Sequence, residues 1–169
     1  MANKFSMFYQ FYKKKKTANS MVDVEALKKH VWDVLGALYE VHKELGPGLN
    51  ENVYQEGLSL QLEEQGIEYK KELVFHPIYH NKEMTTTYRL DFLCKQDIII
   101  ELKSVEELSG VHRSQLYNYM RLYKPKVGIL VNFLPKYAQI ETYLYDAEKR
   151  EVLTREGKPL IKVIGTFVR

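Results

Sequence analysis

Hydrophobic residues recur at alternating steps of four and three from Leu27 through Val31, Val34, Leu38 and Val41 to Leu45, the stripe of a helix buried along one side. Asp23 can cap its start, and Gly46-Pro47-Gly48 ends it, because glycine accepts a left-handed cap and proline cannot continue the ladder. A second helix is predicted from the cap residue Asn50 through Val53, Tyr54, Leu58 and Leu62 to Gly66. The pattern then turns β-like over residues 69–79, with Leu73, Phe75 and Ile78 among polar residues and Pro77 marking an edge or a bulge. After a turn at 80–83, a long strand over 84–94 and a second over 98–103 flank the polar residues Lys95, Gln96 and Asp97, which reads as an antiparallel hairpin.

A third helix is predicted over 111–123, its apolar face formed by Leu116, Met120 and Tyr123, with His112, Gln115 and Tyr119 together on another face. Residues 126–133 form a short, continuously apolar run, as in a buried strand reached by a helix crossover. Residues 137–145 alternate, with Ala138, Ile140, Thr142 and Leu144 on one face, and 160–168 resemble another strand. The charged stretch 146–158 between them reads as a hairpin loop or a short helix. Trp32 and Tyr39 read as core or interface residues rather than a stacking platform.

A chain of 169 residues with 45% hydrophobic and 28% charged residues is of the size and make-up of one globular domain, expected here over 23–169. No apolar run approaches the ~20 residues of a membrane-spanning helix. Cys94 is the single cysteine. It excludes an intrachain disulfide and a thiolate zinc cluster, and it fits the cytoplasm. Of the net charge of +3, residues 1–22 carry five lysines and no acid, which leaves the remainder at −2. The basic balance therefore belongs to the N-terminal tail and does not argue for a nucleic-acid-binding body. That tail, with Phe5, Phe8, Tyr9, Phe11 and Tyr12 beside Lys13 to Lys16, reads either as an arm that stacks on bases and follows phosphates or as a flexible terminus. The 13 tyrosines leave a homodimer surface open, and they suit core packing equally.

The hairpin carries the candidate chemistry. Counting outward from Gln96 places Asp91 opposite Glu101, with Cβ atoms about 4.5–5.5 Å apart, where like charges destabilise a sheet. A shared proton or a cation relieves such a pair. Alternation puts Lys103 on the face of Glu101, while Ile98, Ile100 and Leu102 point the other way. Two carboxylates and an amine so placed suit a divalent-metal phosphodiesterase, although ordinary cross-strand ion pairs explain the same charges. Glu51 falls in the first turn of the second helix, where dipole compensation also accounts for it. Gln115 and Tyr119, one turn apart, could orient a phosphate or a water. His76 and His80 lack a partner set and read as surface residues rather than metal ligands.

This order of elements, together with Asp91 and Glu101-Leu102-Lys103, resembles the core of the PD-(D/E)XK nuclease superfamily. Gly48-Leu49-Asn50-Glu51-Asn52-Val53-Tyr54 is similar to the motif that names the GxxExxY protein family within it. Leu90 stands where the superfamily's name has proline. The resemblance implies an α/β, restriction-endonuclease-like fold with a mixed central sheet flanked by helices. It implies Asp91, Glu101, Glu51 and the Leu102 carbonyl as ligands of Mg²⁺ or Mn²⁺, Lys103 as the catalytic lysine, and Gln115 and Tyr119 as a supporting helix element. The expected activity is metal-dependent hydrolysis of nucleic acid, of DNA in preference to RNA. A catalytically silent binding module on the same fold, and an RNA-directed nuclease, are the alternatives.

Overall fold

A computed structural model describes residues 24–155. The predicted cap Asp23, the basic tail and the predicted strand over 160–168 lie outside the described residues. Helices α1 (Val24–Leu45) and α2 (Glu51–Glu64) are followed by β1 (Tyr69–Phe75), the two-residue strands β2 (Ile78–Tyr79) and β3 (Lys82–Glu83), and β4 (Tyr88–Cys94). Then come β5 (Ile98–Lys103), α3 (Gly110–Tyr123), β6 (Val127–Asn132), β7 (Gln139–Asp146) and β8 (Glu151–Thr154). Six strands form one sheet in the order β1-β4-β5-β6-β7-β8, and β2 pairs only with β3. All neighbours in the sheet are antiparallel except β5 and β6, which are parallel and joined by α3. The expected α/β architecture, a mixed sheet flanked by helices, is the one observed.

The helices cover opposite faces of the sheet. Leu27, Val31, Val34, Leu38 and Val41 of α1 and Tyr54, Leu58 and Leu62 of α2 pack against Phe92, Ile98, Ile100, Leu102, Ile129 and Val131. On the other face Leu116, Tyr117 and Met120 of α3 meet Leu90, Leu93, Ile99, Leu130 and Tyr143. A glycine sets how closely α3 can lie. A Cβ at Gly128 on β6 would overlap the Met120 sulfur, so the helix rests on bare backbone at that point.

Several expectations are corrected by the pairing. Residues 84–87 belong to no strand and bend at Thr85, because Tyr88 is matched to Phe75 at the end of β1 and the ladder stops there. β propensity in Thr85, Thr86 and Thr87 has no neighbour to act on. Pro77 ends the first β run, and the chain turns back through β2 and β3, where the Met84 N–H donates to the Pro77 carbonyl. Of the charged stretch 146–158, the described part is a tight hairpin turn over 147–150 between β7 and β8, not a helix, and it runs on into β8; residues 156–158 lie outside the described residues. Asp146 accepts the N–H groups of Glu148 and Lys149, and that turn starts β8. Trp32 and Tyr39 are 52% and 56% exposed, so neither is core. They fall outside the stripe that α1 buries.

The sheet is irregular at one place, beside β5. Tyr69 packs on the α1–α2 side and Leu73 and Phe75 on the α3 side; likewise Phe92 and Leu90 of β4 lie on opposite faces although two residues apart. Strict alternation forbids both. The two strands reverse faces together at Glu72, which has a left-handed φ of 50°, and at Asp91 across from it, the pair missing from an otherwise continuous register.

Gly128→Ala is expected to lower unfolding stability by about 1–3 kcal/mol, the cost of forcing apart a filled contact, as read by urea denaturation. An unchanged midpoint would show that Met120 can move aside freely.

Candidate active site

The β4–β5 connection turns on left-handed Lys95 and Gln96, and its ladder runs Cys94↔Ile98, Leu93↔Ile99 and Phe92↔Ile100. One more step sets Asp91 opposite Glu101, but the ladder has ended. Where β4 departs, the Leu102 N–H donates instead to Asp91 Oδ2 at 2.8 Å. A side-chain carboxylate thus takes the place of a strand carbonyl, because β5 runs on beside β6 as far as Lys103↔Asn132 after β4 has left it.

Glu101 lies on the α3 face and is 1% exposed. Its Oε1 accepts from Lys103 Nζ at 2.6 Å, whereas Oε2 is buried with no hydrogen-bond partner among the described residues. Burial, and then the charge of Asp91, push its carboxyl up to about 7 from an ordinary 4.5. Asp91 is also raised, by burial first, against the opposing pull of the Leu102 N–H and Lys103. Burial works against the Lys103 ammonium. The Glu101 hydrogen bond and the charges of Glu101, Asp91 and Glu51 outweigh it and hold the amine above its ordinary value. Lys103 is therefore a charged donor in this state and not a base.

Glu51 comes from the opposite layer, at the start of α2. Burial raises its carboxyl, and Asp91 adds to the rise, against the opposing pull of Lys103 and of the Ser104 backbone N–H. The loop before it is pinned on both sides. Ser104 Oγ donates to the Leu49 carbonyl at 2.5 Å, and the Tyr54 hydroxyl donates to the Gly46 carbonyl at 2.7 Å while accepting the Leu49 N–H at 3.1 Å. Gly48, at φ 89°, supplies a backbone that side-chain-bearing residues rarely adopt. The Gly-x-x-Glu-x-x-Tyr spacing thus has a local meaning here: the glycine bends the loop, the tyrosine ties it, and the glutamate is delivered to the end of β5.

On α3, Gln115 Nε2 donates to the Tyr119 hydroxyl at 3.0 Å. Burial raises Tyr119, and the nearby charges of Glu101 and Asp91 raise it further, which sets the pair beside the carboxylates. His112 is engaged elsewhere. Its Nδ1 accepts the Ser109 N–H at 3.1 Å as half of the capping box that starts α3. Exposed His76 donates from Nδ1 to the Met84 carbonyl, and His80 is exposed too, so neither joins the site. Cys94 is buried and its thiol is pushed up to about 12, which leaves it unreactive.

The structure adds positioning residues that no sequence motif singles out. Ser104 is one. Asn132, fully buried at the end of β6, clamps the loop after β5 by accepting the Val105 N–H and donating to the Val105 carbonyl. Its signal was present as one amide at the end of an apolar strand. Arg113 makes two hydrogen bonds to Glu141, 2.8 and 2.6 Å, and fixes α3 to β7.

The three acids do not form a ready-made chelate. Among the described residues no group of three His, Cys, Asp or Glu side chains is arranged to hold a metal ion by itself. Asp91 and Glu101 form the close pair, and Glu51, on the opposite layer, interacts with them through charge.

A sequence model of the PD-(D/E)XK nuclease superfamily matches residues 28–144. No curated protein matches significantly. A solved structure described as "Crystal structure of SSO0001" is similar at 21% identity with a TM-score of 0.45, over 59% of this chain and 54% of that one. The chain thus spans about half the length of that relative.

The raised carboxyl of Glu101 has a thermodynamic consequence. The folded state holds a proton that the unfolded chain releases, so stability is full below about 4.5 and is lost as pH rises towards about 7. The loss is up to roughly 3 kcal/mol. Glu101→Gln is expected to remove that slope in unfolding measured across this window without metal. A slope equal to that of the parent chain would show that Glu101 titrates normally.

Proposed function

The chain belongs to the PD-(D/E)XK nuclease superfamily, and on that premise we propose that it is a Mg²⁺- or Mn²⁺-dependent nuclease that hydrolyses phosphodiester bonds of DNA, within the GxxExxY branch. The observation that carries this reading is Glu101 Oε2, a buried carboxylate oxygen without a hydrogen-bond partner among the described residues, beside a second, half-buried carboxylate, Asp91. Hard divalent cations take oxygen donors. Asp91, Glu101 and the Leu102 carbonyl would hold the ion, with Glu51 completing its surroundings. When bound, such an ion neutralises the two acids, polarises the scissile phosphate and acidifies a water.

The remaining work falls to the protein's own groups. Lys103, kept charged by its acidic neighbours, would donate a hydrogen bond to the incoming water or to a phosphate oxygen as charge develops there. Tyr119, already oriented by Gln115, offers its hydroxyl from the α3 side. Asp91 couples the site to the sheet, because the same carboxylate that serves the ion secures the Leu102 N–H. Glu101 must lose its proton to serve as a ligand, so ion affinity falls as pH drops below about 7.

Lys103→Ala and Asp91→Asn are each expected to slow Mn²⁺-dependent cleavage of DNA by at least about 10²-fold, while the thermal midpoint moves by no more than a few degrees. Full activity in either variant contradicts these roles. A second reading, a nucleic-acid-binding module without turnover, is favoured by the lack of a three-acid chelate among the described residues. Calorimetric titration separates the two. The nuclease reading expects heat of Mn²⁺ binding that Glu101→Gln abolishes, and silence at millimolar Mn²⁺ selects the module.

A further inference from the structure

A groove of about 960 Å³ opens between the β2–β3 hairpin, the C-terminal half of α3 and the β7–β8 turn. Its lining includes Arg121, Lys124 and Arg150 and no acid. Three half-buried cations elsewhere in the fold are matched: Lys103 with Glu101, Arg113 with Glu141, Lys126 with Asp97. No ion pair among the described residues takes up the three of the groove. They are exposed and of one sign.

The backbone makes the same point independently. Lys124 at the C-cap of α3 has φ 62°, and Arg150 in the β7–β8 turn has φ 55°. Glycine or asparagine suits such positions better, because a Cβ there carries a steric penalty. Each instead carries a long cationic side chain, both in the same groove. His80 and Asn81, at φ 46° and 60°, are left-handed in the hairpin that forms the opposite wall.

Between these charges stand aromatic rings. Tyr79 is 67% exposed and is braced edge-on by the His80 ring at 4.3 Å. Tyr88 lines the groove, and its ring meets that of Tyr119 edge-on at 5.9 Å. Tyr119 is the α3 residue beside Glu101 and Asp91, so the groove leads by way of Tyr88 to the candidate active site. Tyr88 is half-buried, stacked on Phe75 at 5.7 Å, so Tyr79 is the freely exposed ring; cations that follow phosphates beside a ring that accepts a base face are what an unpaired strand requires. A duplex keeps its bases stacked on one another and would leave Tyr79 without a partner.

We propose that this groove guides a single polynucleotide strand to the carboxylates, with Arg121, Lys124 and Arg150 on its phosphates and Tyr79 against a base. The proposal rests on the nuclease reading and narrows its substrate to single-stranded or locally unpaired nucleic acid.

The test is fluorescence anisotropy of a labelled oligothymidylate, and of its duplex with oligoadenylate, against the full-length chain in EDTA over a range of KCl. The single strand is expected to bind more tightly than the duplex. Replacing Arg121, Lys124 and Arg150 together by Gln is expected to weaken binding at least about tenfold and to flatten the log–log salt dependence by about 2, the value for three released phosphate contacts. Tyr79→Ala should weaken binding about 5- to 100-fold with the salt slope kept. Lys124→Gly should raise the melting temperature, since it relieves the left-handed backbone, and still weaken binding, a combination that a merely structural role cannot give. Unchanged affinity and slope in the triple variant, or tighter binding of the duplex, overturns the proposal. Because no metal is present, the two readings fail separately. Cleavage of DNA with indifferent groove variants keeps the nuclease and removes the groove. Groove-dependent binding without Mn²⁺-dependent cleavage supports the groove as the face of a silent module.

Discussion

The structure depends on a placement that ordinary packing would avoid: two carboxylates and an ammonium withdrawn from water at the end of β5. Taking charges out of water costs several kcal/mol per ion in a protein, and apolar residues of the same volume often serve stability as well or better. The Lys103–Glu101 contact at 2.6 Å offsets only part of this, since one oxygen of Glu101 remains unsatisfied and Asp91 adds repulsion. The rest of the domain holds that arrangement in place.

That holding begins in the sheet. β1 and β4 reverse faces together at Glu72 and Asp91, and β4 stops pairing with β5 one residue before Asp91 would have become a routine ladder member. Asp91 then takes the Leu102 N–H itself, so the fold places the carboxylate by means of a backbone need. From one layer the Gly46–Tyr54 loop brings Glu51, tied by Tyr54 and by Ser104. From the other α3 brings Gln115 and Tyr119, seated on Gly128 and anchored by Arg113 on Glu141. The groove runs outward from that second layer, so the cations that no acid among the described residues pairs lie on the side of the sheet to which Glu101 points.

Much of this was legible in the order of residues. The 27–31–34–38–41 stripe declared α1 because burial on one side of a helix forces that spacing. The hairpin register followed from centring the turn on Gln96, and alternation then set Lys103 beside Glu101. The rest depended on partners that no local pattern names. Thr85 to Thr87 have strand-forming side chains but no strand to pair with. β8 is too short, at Glu151–Thr154, to show a period, and Asp146 makes the turn that starts it. The capping role of His112 rested on the N-cap at Ser109, two residues before the helix as its periodicity drew it. The groove joins residues from three separated segments, and only the folded chain brings their like charges together.

Glu101 Oε2 and Asp91, on the proposed reading, are kept in this costly state for a divalent cation. Anomalous scattering from a crystal soaked in Mn²⁺ tests it directly. A peak is expected within about 2–2.5 Å of Glu101 Oε2 and of an Asp91 oxygen, absent from Glu101→Gln crystals soaked in the same way. A saturating soak that leaves the space between these two carboxylates without anomalous signal would contradict it.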